Sequence, residues 1–187
     1  MNKDTMALVD LTSEDREDTS VIGVMGVSCR LPGAPDFESL RTLLMNGICA
    51  VSEIPADRFA KARYLHPVAG RSGRSYTFAA GVLENVWAFD PAPFGISPRE
   101  ALQMDPQQRL LLAVVWEAIE DAGIAHSRLS GHNVGVYIGA STTDYRDNNI
   151  FDPGATDPYM MTGTTMSLIS NRVSYIFDFK GPSFTVD

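Results

Sequence analysis

The residues of this sequence whose types could do chemistry are two cysteines, three histidines, a carboxylate-rich stretch and a small cluster of cations. Cys29 and Cys49 could act as nucleophiles or metal ligands only as thiolates. Neither has a partner at metal-ligand spacing, so both read as buried, inert thiols. His66, His126 and His132 are bases by type alone. None stands near a serine or cysteine in the setting of an activated nucleophile, and His126 and His132 flank Gly131 in what reads as a surface turn. Asp144, Asp147, Asn148, Asn149 and Asp152 lack the alternating order and closing glutamate of a calcium loop, which leaves a solvated loop. Gly23 and Gly26 are spaced G-x-x-G, and Pro32-Gly33 interrupts the helix that a dinucleotide loop would need. Close backbone packing accounts for both glycines. Lys61, Arg63, Arg71 and Arg74 form a basic loop, either a solvated face or a contact for an acidic partner. Taken alone, these residues define no catalytic group and no metal site, and support only a soluble α/β domain.

The elements that must position them follow from periodicity and caps. Val21–Val27 is a short apolar, β-branched run that reads as a buried strand. Asp36 to Asn46 reads as a helix capped by Asp36, striped by Phe37, Leu40, Leu43 and Leu44, and stopped by Gly47. Residues 55–75 show no period and read as a long loop; Tyr76–Leu83 reads as a strand broken by Gly81. Ser97-Pro98-Arg99-Glu100 has the form of a capping box, in which Ser and Glu each satisfy an orphan N–H. Asp105-Pro106 repeats the start signal, and Pro106 cannot sit deep in a helix. The spacing therefore predicts a short helix, a break near Asp105, and a longer helix from Pro106 to about Ala122. Leu111, Val114, Val115, Ala118 and Ala122 form its inner face, and Gly123 stops it. Val134–Ile138 reads as a strand closed by Gly139-Ala140-Ser141, residues 142–158 as polar loop, Tyr159–Tyr175 as one helix, and Phe184–Asp187 as the start of a strand. This order indicates a layered α/β domain.

Composition narrows the function classes. The net charge of −8 and pI near 4.8 argue against a nucleic-acid partner, which would need a basic face. Asp4, Asp10, Glu14, Asp15, Glu17 and Asp18 face only Lys3 and Arg16, so residues 1–20 read as a flexible acidic leader. The longest apolar run, Leu110 to Trp116, is far short of the ~20 residues that span a bilayer. No secretory signal is visible, and a reducing cytoplasm is the expected location.

Several blocks together resemble the type I β-ketoacyl synthases, the condensing domains of polyketide and fatty-acid megasynthases. They are VIGVMGVSCRLPGAPDFESLRTLL from Val21, SEIPADRF at 52–59, PREALQMDPQQRLLL at 98–112, VGVYIGAS at 134–141, and a last block from Thr162 that ends in GPSFTVD at 181–187. The resemblance covers 21–187. It implies an α/β fold, the N-terminal part of a thiolase-like layered α-β-α-β-α arrangement, truncated before the nucleophile. Many modular synthases have TGNA where Thr162-Gly163-Thr164-Thr165 stands, and SGR where Ser170-Asn171-Arg172 stands; these exchanges are small or polar.

In the family, GPS-x-x-VD leads into TACSSS, whose cysteine accepts the acyl chain at a helix N-terminus that favours thiolate. On this resemblance that cysteine falls three positions past Asp187 and both family histidines fall farther on, so the chain holds no catalytic residue. The implied reaction is decarboxylative condensation of carrier-bound acyl and malonyl-type thioesters. It implies phosphopantetheine on an acyl carrier protein, no cofactor bound by this region itself, and as partners the carrier, the remaining synthase domains and a second copy in a homodimer. The basic loop then has an acidic carrier as its candidate contact. The resemblance also places Tyr159, Met160, Met161 and Thr164 near the two-fold axis and the partner's acyl channel, with Ala140 near the channel of its own subunit. Methionines suit an apolar tunnel for chains of varied shape, and equally suit filling a core. The alternative is a non-catalytic dimerisation or interaction protein built from half of the same fold.

Overall fold

The computed structural model describes residues 22–149, 154 and 157–187. The leader read over residues 1–20 lies outside the described residues, as do Val21 and part of the polar stretch after Asn149. In chain order the elements are α1 (Phe37–Met45), β1 (Val51–Glu53), α2 (Lys61–Tyr64), β2 (Ala79–Gly81), α3 (Pro98–Gln103), α4 (Pro106–Asp121), β3 (Val136–Gly139), α5 (Asp144–Asn149), α6 (Met160–Thr164), α7 (Leu168–Ile176) and β4 (Ser183–Val186).

Local chemistry sets the helix ends where the caps predict them. Asp36 accepts from the Ser39 N–H at 2.7 Å to start α1, and Gly47 follows it at φ +61°, where a Cβ would be strained. Ser97 caps α3 through the Glu100 N–H at 3.1 Å. The reciprocal half of the capping box does not form, because the Glu100 carboxylate is taken by Arg172. Asp105 caps α4 through the Gln107 N–H at 2.8 Å, with Pro106 as its first residue.

The core is a helix layer on a short parallel sheet. β3 and β4 pair in parallel, Val136 opposite Ser183 and Gly139 opposite Val186. Helix α7 packs across this pair, and α4 packs on α7. Ile96, Met104, Leu112, Val136, Val173, Phe177 and Phe179 close into one buried cluster, with Leu111, Val115, Trp116 and Ile119 partly buried around it. The inner face of α4 is thus centred on Leu112 rather than on the predicted residues alone, and its first turn buries Gln108 and Arg109. A second pair, β1 with β2, is antiparallel and mostly exposed.

Several expectations are corrected. Residues 22–27 form no strand. Their backbone finds side chains and a helix instead of a neighbouring strand: the Val27 N–H donates to Asp121 at 2.8 Å, and Gly26 lies so close to α4 that a Cβ would meet the Ala118 carbonyl at 2.1 Å. Close packing therefore explains Gly26, but not Gly23, whose nearest neighbour would be 4.0 Å away. Residues 55–75 contain α2 and a bridge between Leu65 and Ser75, and residues 144–149 are helical. The helix read over Tyr159–Tyr175 is two helices, because the chain turns at Thr165, whose backbone is extended. Cys49 is exposed and Cys29 half-buried, so neither is the fully buried thiol expected.

Candidate functional site

The C-terminal ends of adjacent parallel strands are where open α/β sheets place their ligands. Here β3 and β4 end together: the Ala140 N–H donates to the Val186 carbonyl at 3.0 Å. Strand β4 is held at that edge by its helix. Ser170 and Ser174, one turn apart on α7, face Thr185 and Ser183, two apart on β4. The Thr185 hydroxyl bonds the Ser170 hydroxyl at 3.1 Å and accepts the Ser170 N–H at 3.3 Å, while Ser174 donates to Ser183 at 2.8 Å. Four small hydroxyl side chains thus fix the register between α7 and the last strand, with Ser170 fully buried.

The other face of α7 carries Arg172 into a polar knot. Its guanidinium pairs with Glu100, donates to Gln108 Oε1 at 2.8 Å, and reaches the Thr162 carbonyl at 3.3 Å. Gln108 in turn donates to the same Thr162 carbonyl at 3.2 Å. Arg109 folds back onto the Met104 carbonyl at 3.0 Å and lies over the Trp87 ring at 5.4 Å. The Asp105 N–H donates to the Gly163 carbonyl at 2.8 Å, and a Cβ on Gly163 would meet the Gln103 carbonyl at 2.1 Å. Only glycine allows that approach. The α3–α4 break and α6 are therefore locked backbone to backbone.

Burial raises the Asp105 carboxyl above the usual aspartate range, against the lowering effect of its hydrogen bonds from Gln107. Gln107 also donates to the Thr142 carbonyl at 3.2 Å, which ties the loop after Ala140 to the start of α4. Strand ends, α4 N-terminus and α6 thus belong to one hydrogen-bonded unit.

The residues singled out from sequence fall on this unit. Tyr159 and Met160 are half-buried, Met161 is 71% exposed, and Ala140 is half-buried at the strand edge. Thr164 is buried and its hydroxyl donates back to the Met160 carbonyl at 2.8 Å, so it shapes α6 rather than lining its surface. Among the positions that depart from the usual family pattern, Thr164 is buried and Asn171 exposed, which leaves the Ser170 and Arg172 contacts untouched. The histidines stay outside: His126 lies against Trp116 with ring centroids 3.9 Å apart, His66 contacts Arg71, and His132 turns back to the Ser130 carbonyl. Residue-type reasoning missed Glu100, Gln108, Arg109 and Arg172. The available signal was the polar Gln107-Gln108-Arg109 opening of an otherwise apolar helix.

Residues 19–187 match the family model described as the β-ketoacyl synthase N-terminal domain. The chain belongs to that family. Among ketosynthase structures, a domain of the oxazolomycin synthase of Streptomyces albus superposes with a TM-score of 0.78 at 34% identity, over 88% of this chain and 29% of that one. A ketosynthase from module 6 of the bacillaene synthase of Bacillus subtilis gives 0.71 at 30% identity, over 87% of this chain and 25% of that one. The fold is therefore the N-terminal part of the thiolase-like ketosynthase fold. Among curated relatives, a probable polyketide synthase of Dictyostelium discoideum is 44% identical over 90% of this chain, and polyketide synthase GfsE of Streptomyces halstedii 42% over 95%. The chain spans 5% of the length of each of these two synthases. Among the described residues no helix is long and apolar enough to cross a membrane.

Proposed function

We propose that this region serves a ketosynthase that condenses carrier-bound acyl and malonyl-type thioesters in the cytoplasm. In that reaction the acyl carbon leaves the sulfur of one carrier's phosphopantetheine for an enzyme cysteine. The extender's carboxylate leaves as CO2, and the electron pair it releases forms a thioester enolate that attacks the acyl carbon and expels the thiolate. Neither Cys29 nor Cys49 suits the nucleophile's part. Cys49 follows the C-terminal end of α1 and Cys29 lies in irregular chain, so neither stands at a helix N-terminus.

The role of these residues is to build around the reaction. Strand β4 aims the segment that follows it, and Ala140, Tyr159, Met160 and Met161 line the acyl channel or the homodimer contact, on a helix whose shape Thr164 maintains. The partners are the acyl carrier protein, further synthase domains and a second copy of the chain. The observation that carries this reading is the bracing of α6 and the paired ends of β3 and β4 into one unit, since a channel for chains of defined length needs rigid walls. Met160→Trp in the synthase that contains this region is the test. Long acyl chains should lose at least about ten-fold more kcat/KM than acetyl, the size of a few displaced methylenes in an apolar pocket. An equal loss at every chain length overturns the channel role.

A further inference from the structure

Helix α7 begins without a cap of its own. Ser167, the residue before it, sits in the helical region of the backbone, and its side chain makes no capping bond. The first N–H groups of any helix lack partners within it and need an acceptor from elsewhere. For Ser170, in the first turn of α7, that acceptor comes from the sheet. Its N–H donates to the Thr185 hydroxyl oxygen at 3.3 Å, across 15 positions of chain.

The bonds continue in one direction. The Thr185 O–H donates to the Ser170 hydroxyl at 3.1 Å, and the Ser170 O–H donates to the Ser167 carbonyl at 3.3 Å. Each hydroxyl thereby directs its one proton to a defined acceptor, and Ser170 is fully buried. Thr185 is the next-to-last residue of β4, and its neighbours Phe184 and Val186 point to the opposite, exposed face. The Val186 carbonyl meanwhile accepts the Ala140 N–H at 3.0 Å. The end of β4 is thus held at adjacent residues from two sides, by the sheet through Val186 and by α7 through Thr185. Apolar contacts such as those of Val173 and Phe177 tolerate sliding of a helix over a sheet. Hydrogen bonds do not, because they weaken steeply with angle and length.

We propose that Thr185 is a positioning residue for the condensation, acting through Ser170 to fix the end of β4 and with it the segment that follows. The inference rests on the condensation reading, in which that segment carries the acyl-accepting cysteine. Thr185 touches no reacting atom. It acts on placement, and a misplacement of about 1 Å costs on the order of 100-fold in rate. Every acyl chain needs the thiol in the same place, which separates Thr185 from the residues of α6.

The test is the rate at which the synthase that contains this region is acylated by acetyl- and octanoyl-pantetheine, followed by peptide mass. Thr185→Val keeps the shape of the side chain and removes both bonds to Ser170. It should slow acylation about ten-fold with either thioester, part of the loss from a full 1 Å displacement, and leave KM unchanged. Ser170→Ala keeps the bond from the backbone N–H and should lose less, about three-fold. Thr185→Ser should restore the full rate. An unchanged rate in Thr185→Val overturns the proposal. So does a loss confined to octanoyl, which would make Thr185 part of the channel, and so does a loss that Thr185→Ser fails to restore. Because α7 also loses an acceptor in Thr185→Val, amide exchange in α4 is followed alongside. It should be unchanged, and a rise there that matches the loss of rate overturns positioning in favour of stability. An unaltered synthase that forms no acyl-enzyme overturns the condensation reading and this inference with it. The channel test at Met160 reads discrimination between chain lengths, so its outcome is independent of this one.

Discussion

The stretch from residue 96 to 187 and the stretch from 22 to 95 handle their apolar residues in opposite ways. Of the ten apolar residues buried among the described ones, eight belong to the later stretch, and only Ala34 and Phe78 to the earlier one. In the later stretch polar groups go inward as well, and Gln108, Arg109, Ser170 and Arg172 are all bonded there, while the buried Nε2 of His126 has no hydrogen-bond partner. In the earlier stretch Ile22 is 88% and Val24 80% exposed, and helix α1 buries none of its residues. The lesson is that a cap and a periodic stripe suffice to start a helix, while burial needs a second surface. Helix α1 has the first without the second. Helices α4 and α7 have both, because each packs on the other and α7 packs on a sheet.

The sharpest break of that comparison is one truncated side chain in each stretch. Leu112 is fully buried at the centre of the core cluster, and Leu112→Ala should lower unfolding free energy by about 3 kcal/mol, within the range for buried leucines. Ile22→Ser should change it by less than about 0.5 kcal/mol, as exposed positions do, and should reduce binding of a hydrophobic dye. Urea denaturation of both variants decides the matter, and similar losses would erase the distinction between the stretches.

The polar knot should come next. Arg172→Met leaves Glu100 and Gln108 without their shared donor, and should cost about 2 kcal/mol. That is below the ~3–5 kcal/mol of a fully buried pair, because the Glu100 side chain keeps 23% of its exposure. Since Arg172 also holds Thr162, the variant should raise amide exchange in α6 more than in α1. Equal exchange in both helices would show that α6 does not depend on the knot.

The smallest effect concerns acid, and two carboxyls of the later stretch should respond with opposite signs, Glu117 where the N-terminal segment meets α4 and Asp105 at the start of that helix. Hydrogen bonds from Arg30, joined by one from Ser28, hold the Glu117 carboxyl below its ordinary value of 4.5 and tie the N-terminal segment to α4. A lowered carboxyl contributes stability that is present above the unfolded value and lost as pH falls through the folded one. Asp105 is raised above 3.8 by burial, so its ionisation opposes folding as pH rises from 3.8 through its folded value. Glu117→Gln should therefore flatten the acid-side loss of stability, and Asp105→Asn, which keeps the cap, should gain at neutral pH relative to pH 3. Denaturation midpoints across pH 3 to 7 measure both (about the span in which carboxylates titrate).

The sequence by itself determined what is local. Asp36, Ser97, Pro98, Asp105, Pro106 and Gly123 mark helix ends because their side chains or backbone freedom act within four residues, and the structure places the ends there. The family blocks were legible for the same reason, being runs of contiguous residues. Only the tertiary structure decided the rest. It showed that residues 22–27 make no strand, since a strand is defined by a neighbour that no local pattern names. It also broke the helix at Thr165, where α6 turns away to meet the α3–α4 junction through Gly163. The knot of Glu100, Gln108 and Arg172 was invisible for a related reason. Its members lie as many as 72 positions apart, and a buried charge shows itself only by the partners that surround it.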